Sequence, residues 1–219
     1  MAMARIAFDL DGTLVDSAPD LQGIANRLLA QRGLAPVLLP EARSFIGQGV
    51  AVFVAKLRAA RGIPEEEQTR VLSDFLAQYD DAVMLTQPYP GVAETLDRLR
   101  RDGHLLALCT NKPMRPTMAL LRHLGFEHHF TRILAGDSLP QHKPDPAPLL
   151  AAFQMGDSQM PCLYIGDSEV DAETARRARV PFLLFTEGYR ATPVADLPHR
   201  AAFSAWSGFA ALISGLVEG

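Results

Sequence analysis

The sequence predicts an α/β protein: a Rossmann-like parallel sheet flanked by helices on both faces, with a helical unit inserted after the first strand. Two observations predict it. Apolar runs of strand length recur at residues 6–8, 105–109, 132–135, 162–165 and 182–185, with helical patterns between the later ones, and such alternation signals βαβ units. The long interval between the first two runs instead reads as helices only, at 21–32, 50–61 and 64–82.

That interval has turn-like edges, at residues 16–20 and at Gln87-Pro88-Tyr89-Pro90-Gly91, which suits two hinge connections rather than one flexible linker. The expected division is therefore a core of residues 1–15 plus 86–219 and an inserted helical domain of residues 16–85. After Gly91, Val92, Leu96 and Leu99 fall on one helical face, and Arg98, Arg100 and Arg101 crowd the last turn before Gly103, matching the helix dipole. Pro116 fits the first turn of the next helix, whose Leu120, Leu121 and Leu124 form a stripe ending at Gly125. Pro146 opens a third helix, and Ala172, Ala175 and Ala178 give a fourth a small-residue face for close packing on a sheet. Residues 206–217 read as a final packing helix.

The 219 residues are enough for a core without disulfide staples, and 48% hydrophobic with 21% charged residues excludes wholesale disorder. A net charge of −4 argues against a partner bound by phosphate neutralisation, so neither nucleic acid nor an anionic membrane is expected. No apolar stretch approaches the ~20 residues of a membrane span, and the N-terminus has no apolar signal region. Cys109 and Cys162 each sit in a strand-like run without a CxxC or His partner, which suits buried thiols in the cytoplasm.

Ligands of open α/β sheets bind outside the carboxyl ends of the strands, and there the residues are polar. The first run ends in Asp9-Leu10-Asp11-Gly12-Thr13, the second in Thr110-Asn111-Lys112, the fourth in Gly166-Asp167-Ser168, and the loop after the third carries Lys143. Asp9 and Asp11 share a side if strand geometry persists, as do Asp167 and Asp171 at a helix start. Four carboxylates would then converge on one crevice, where each like-charge pair at ~4 Å and an effective dielectric of ~20 costs on the order of 4 kcal/mol. A cation is expected among Asp9, Asp11, Asp167 and Asp171, and a set of oxygen ligands favours Mg²⁺ over Zn²⁺.

These four segments, with Leu14-Val15-Asp16-Ser17 after the first and Lys143-Pro144-Asp145-Pro146 as the third, resemble the motifs of the haloacid dehalogenase (HAD) superfamily in its order. Within that superfamily the resemblance is greatest to the phosphoglycolate-phosphatase branch, through Phe45-Ile46-Gly47-Gln48-Gly49-Val50 and Thr110-Asn111-Lys112-Pro113. The resemblance implies a HAD-like core and a mobile helical cap over the crevice. It implies Asp9 as a nucleophile forming an aspartyl-phosphate, and Asp11 as acid and then base. Thr110 and Lys143 would hold phosphoryl oxygens, with Asn111 a further substrate-binding candidate, and Asp167 would bind Mg²⁺. Asp171 would bind the metal or orient Lys143. In the cap, Gly47 and Gly49 would bring backbone amides to a small anionic substrate, and Lys56 would meet its carboxylate. The implied activity is Mg²⁺-dependent hydrolysis of 2-phosphoglycolate.

Alternatives stay open at this point: a phosphatase of another small phosphomonoester or pyrophosphate, a β-phosphoglucomutase-like phosphotransferase, or a receiver-like phospho-acceptor. Dehalogenation is disfavoured, since it needs neither Asp11 nor a metal. Only three of the 21 basic residues are lysines, at 56, 112 and 143, and two of these lie within motifs. One departure from the family pattern stands out: Arg179 occupies a helix end where a left-handed glycine is usual, so either the helix ends differently or Arg179 accepts strain of ~1 kcal/mol.

Overall fold

The computed structural model describes residues 3–217. Strand β1 (Arg5–Phe8) is followed by β2 (Val15–Asp16) and by helices α1 (Ala18–Ala30), α2 (Leu39–Arg43), α3 (Val50–Ala60) and α4 (Gln68–Tyr79). The chain then runs through β3 (Gln87–Pro88), α5 (Val92–Arg101), β4 (Leu105–Cys109), α6 (Met114–His123), β5 (Arg132–Leu134) and α7 (Ala147–Ala152). It finishes with β6 (Cys162–Gly166), α8 (Glu169–Ala178), β7 (Phe182–Phe185), β8 (Ala201–Phe203) and α9 (Phe209–Val217).

Six strands form one parallel sheet in the order β5-β4-β1-β6-β7-β8. The two-residue period of a strand sorts its side chains into two layers. Ile6, Phe8, Leu106, Leu108, Ile165 and Phe185 face one core with α5 and α9. Ala7, Ala107, Cys109, Tyr164 and Leu184 face the other, where Ala172 and Ala175 let α8 approach closely. Trp206 and Phe209 stack among Phe8, Phe185 and Phe203 and seat the C-terminal helix. Among the described residues no helix is long and apolar enough to cross a membrane.

The four helices α1 to α4 enclose a separate apolar cluster built from Leu21, Ile24, Leu28, Phe53, Leu57, Val71 and Phe75. Their two connections to the sheet are tied together. β2 pairs antiparallel with β3, and the Asp20 carboxylate accepts the amides of Leu85 (3.1 Å) and Thr86 (2.7 Å) and the Thr86 hydroxyl (2.7 Å).

Three local features differ from or refine the sequence reading. The sheet has a sixth strand, β8, whose three residues are too short to show a pattern. Helix α2 is likewise one short turn-rich element not read from sequence. Helix α8 ends with Arg179 at φ +56°, so the chain keeps the left-handed termination without the glycine and accepts its strain.

Candidate active site

The carboxyl ends of β1, β4 and β6 lie side by side at the centre of the sheet, and the functional side chains start there. The Asp9 amide still donates to the Ile165 carbonyl (2.8 Å), continuing the sheet by one residue. The chain then curls: the Thr13, Leu14 and Val15 amides all donate to the Leu10 carbonyl (3.3, 3.0 and 3.1 Å), around Gly12 at φ +90°.

That curl keeps Asp11 on the cleft that Asp9 and Asp167 line but takes it out of the tightest grouping of the four expected carboxylates. Ligand oxygens of Asp9, Asp167 and Asp171 lie within 4.8 Å of one another. Asp11 is not in this group, because strand alternation ends before it. Its Oδ1 instead accepts the Ser17 hydroxyl (2.5 Å) and the Lys112 ammonium (3.2 Å).

Lys143 closes the buried trio. Its Nζ donates to Asp171 Oδ1 (2.7 Å), Asp9 Oδ1 (2.8 Å) and the Tyr164 hydroxyl (2.9 Å), which uses the three protons of the ammonium. Asp171 Oδ1 also accepts the Tyr164 hydroxyl (2.6 Å). Its Oδ2 accepts the Ser168 hydroxyl (2.6 Å) in a capping box at the start of α8. Asp167 accepts the Thr13 hydroxyl (2.6 Å) and the Tyr189 amide (2.7 Å). It is boxed in by backbone: a Cβ on Gly188 would fall 2.3 Å from the Asp167 side chain, and one on Gly12 2.5 Å from it.

Three buried carboxylates against one ammonium leave this cluster short of positive charge. Burial, opposed by Lys143 and reinforced by Asp171, pushes the Asp9 carboxyl up to about 7. Burial, then Asp171 and Asp9, push Asp167 well above the usual carboxylate range. Burial acts against the Asp171 carboxylate too, but Lys143 overrides it and holds that group below its usual value. Lys143 itself is raised, since Asp171 and Asp9 outweigh its burial. A set of acidic oxygens with an unmet demand for positive charge fits a hard divalent cation such as Mg²⁺.

The remaining candidates fall into place around the trio. The Thr110 hydroxyl accepts the Lys112 amide (3.2 Å), which leaves its own proton for another acceptor. The Asn111 side chain is committed to bridging loops: Nδ2 donates to the Gly47 (3.1 Å) and Lys143 (3.0 Å) carbonyls, and Oδ1 accepts the Lys143 amide (3.0 Å). Its expected contact with substrate therefore has no free side-chain amide to make it.

Gly47 and Gly49, both at positive φ, line an inner pocket with Asp9, Asp11, Thr110 and Lys112. Lys56 lies outside that pocket, on a wider cleft of about 600 Å³, where its Nζ donates to the Ser44 carbonyl (3.0 Å).

Residues not singled out from sequence complete the site. Tyr164, the polar residue in the middle of an apolar strand, holds Lys143 and Asp171. Tyr189 joins the trio to the helical insert: its amide bonds Asp167, while its hydroxyl donates to Asp16 Oδ1 (2.6 Å) and accepts the Ala18 amide (3.1 Å). Asp16 Oδ2 also accepts Arg43 of α2 (2.7 Å). For Lys112 the signal was its place among three lysines; for Tyr189 no sequence signal existed.

Residues 6–185 match the family model described as haloacid dehalogenase-like hydrolase. The chain belongs to the haloacid dehalogenase-like hydrolases. It is 46% identical over 205 residues to the phosphoglycolate phosphatase of Cereibacter sphaeroides strain ATCC 17029, covering 92% of this chain and 94% of that one. It is 43% identical to the phosphoglycolate phosphatase of Rhodobacter capsulatus, over 100% of this chain and 98% of the relative. Among solved structures, a predicted phosphoglycolate phosphatase from Haemophilus somnus 129PT superposes with a TM-score of 0.87 at 31% identity, covering 96% of this chain and 98% of that one. This haloacid dehalogenase-like hydrolase is thus an enzyme whose full-length relatives are named as phosphatases.

Proposed function

We propose that the chain is a cytoplasmic, Mg²⁺-dependent phosphatase that hydrolyses 2-phosphoglycolate to glycolate and phosphate through an aspartyl-phosphate on Asp9. The observation that carries this reading is the Asp9 carboxylate: central, buried, fixed through one oxygen by Lys143, and one residue pair from a second carboxylate with different partners. The free thiols of Cys109 and Cys162 speak for the compartment.

In the first step an Asp9 oxygen attacks phosphorus and the bond to the ester oxygen breaks, while Asp11 gives its proton to the departing glycolate alkoxide. In the second, Asp11 takes a proton from water as that water attacks phosphorus, and the Asp9 carboxylate leaves. Thr110 donates its hydroxyl proton to a phosphoryl oxygen, and Lys143 supplies positive charge beside the reacting carboxylate. Asp9 and Asp167 would hold Mg²⁺, which when bound offsets the charge gathered on carboxylate and phosphoryl oxygens. Asp171, with both oxygens engaged by Lys143, Tyr164 and Ser168, serves by positioning Lys143. Residues 16–85 act as a cap that closes over the cleft and excludes water.

The test is phosphate release from a panel of small phosphomonoesters, with and without EDTA. The expected result is a preference for 2-phosphoglycolate and loss of turnover in EDTA. Asp9→Asn should abolish turnover with the fold intact, and Asp11→Asn should lower kcat by ~10²–10⁴. Full activity of Asp9→Asn, or turnover indifferent to EDTA, refutes the reading.

A further inference from the structure

We propose that Lys112, braced by Tyr79 of the insert, binds the carboxylate of the substrate's leaving group, so that the site selects phosphomonoesters of small α-hydroxy acids. The inference rests on the phosphatase reading above and adds to it the residue that recognises the substrate.

Lys112 is buried, at 5% exposure, yet it lines the inner pocket together with Asp11 and Tyr79, the two partners of its ammonium. Lys143, the other buried lysine, already has its three protons on Asp9, Asp171 and Tyr164. Lys112 donates to Asp11 Oδ1 (3.2 Å) and to the Tyr79 hydroxyl (3.0 Å), and its Nζ sits 4.5 Å from the centre of the Tyr79 ring. Tyr79 thereby fixes the ammonium before any ligand arrives, which lowers the entropy cost of using it. Where the insert faces this pocket, Leu21, Ile46, Val50, Phe53 and Phe75 make the wall apolar. Beside such a wall an ammonium interacts with an anion far more strongly than it does in water.

Connectivity then locates the anion. A leaving-group oxygen within hydrogen-bond reach of Asp11 lies one contact away from Nζ, because the two groups are themselves bonded. In 2-phosphoglycolate the carboxyl carbon is two covalent bonds from that oxygen, so the carboxylate reaches Lys112 while the phosphoryl group stays at Asp9 and Thr110. The Lys112 amide also holds the Thr110 hydroxyl, so one short segment presents both the phosphate donor and the carboxylate partner. The inner pocket, of about 30 Å³, has room for the two oxygens of a carboxylate at ~10–15 Å³ for each water-sized group. Lys56, on the outer cleft and bonded to the Ser44 carbonyl, is the less suitable cation.

The experiment compares kcat/KM for 2-phosphoglycolate and for ethyl phosphate, in which a methyl group replaces the carboxylate. The wild type should favour 2-phosphoglycolate strongly. Lys112→Met should cut the ratio by about 30-fold or more, the cost of losing one member of a buried charge pair. Lys112→Arg, which keeps the charge, should retain most of the preference and controls for folding. A ratio unchanged in Lys112→Met, or an equal loss on both esters, overturns the proposal, the latter assigning Lys112 to Asp11 alone. A wild type that hydrolyses both esters equally also overturns it while leaving the phosphatase reading intact. Should neither ester turn over, the proposed reaction fails by itself. Glycolate binding followed by NMR then decides the subsite: binding to wild type and not to Lys112→Met supports it, and equal binding overturns it.

Discussion

In EDTA, the protein should lose stability as pH rises from about 4 to 7, and Asp9 should be one of the causes. Burial, against the pull of Lys143, moves its carboxyl from the ordinary 3.8 up to about 7. Between those values the folded protein holds a proton that the unfolded chain has already released, so stability falls as pH climbs. Over that interval the change is on the order of 4 kcal/mol at ~1.36 kcal/mol per pH unit. At ~2–4 °C per kcal/mol for a chain of this size, the melting temperature should drop by about 8–16 °C. Asp167 acts in the same direction. His104 and His129 act in the opposite one, because burial lowers their affinity for a proton and stability gained from them grows with pH. The clean reading is therefore the difference between wild type and Asp9→Asn in thermal melts from pH 4 to 8. Adding Mg²⁺ at ~100 times its Kd should restore about 2.7 kcal/mol to the wild type at pH 7 or above. Parallel pH profiles for wild type and Asp9→Asn would refute the reasoning.

Two further perturbations probe the scaffold. Gly188→Ala places a Cβ 2.3 Å from the Asp167 side chain and 2.4 Å from the Gly12 carbonyl, so it should cost ~1–3 kcal/mol in melts and weaken Mg²⁺ binding measured by calorimetry. Normal Mg²⁺ affinity there would show that Asp167 does not hold the ion. Arg179→Gly should raise stability by about 1 kcal/mol in denaturant titration, by relieving the left-handed strain after α8; a decrease would mean that the arginine side chain outweighs its backbone.

The sheet was legible because its central strands are short apolar runs bounded by polar turns, and their alternation with helical patterns gave the parallel, helix-flanked arrangement. β8 was not, since three residues on an edge carry too little pattern. Within the site, Asp9 and Asp167 could be read from the polar residues directly after their strands, Lys143 from the loop beyond the third run and Asp171 from the helix that follows Asp167. Asp11 could not be placed that way, because a period-two argument fails once the backbone curls around Gly12. The partners of Asp11 come from Ser17 and from Lys112, far apart in the chain, and only folding sets them on one oxygen. Asn111 shows the converse: a polar residue inside a motif whose amide serves loop architecture. Tyr189 lies beyond every motif and becomes relevant through its backbone amide, which no side-chain pattern announces.

The central position of β1 has a consequence for how the chain acquires its fold. Phe8 pairs with Leu108 on one side and Ile165 on the other, so β1 has no neighbour until the chain has grown by about 100 more residues. At ~5–20 residues per second, roughly 5–20 s separate its synthesis from that of its earlier partner. The helices of the insert, whose contacts are local, are the natural first unit to consolidate during that delay. Nascent chains arrested before residue 105 should accordingly protect amides in α1, α3 and α4 from exchange while leaving those of β1 open.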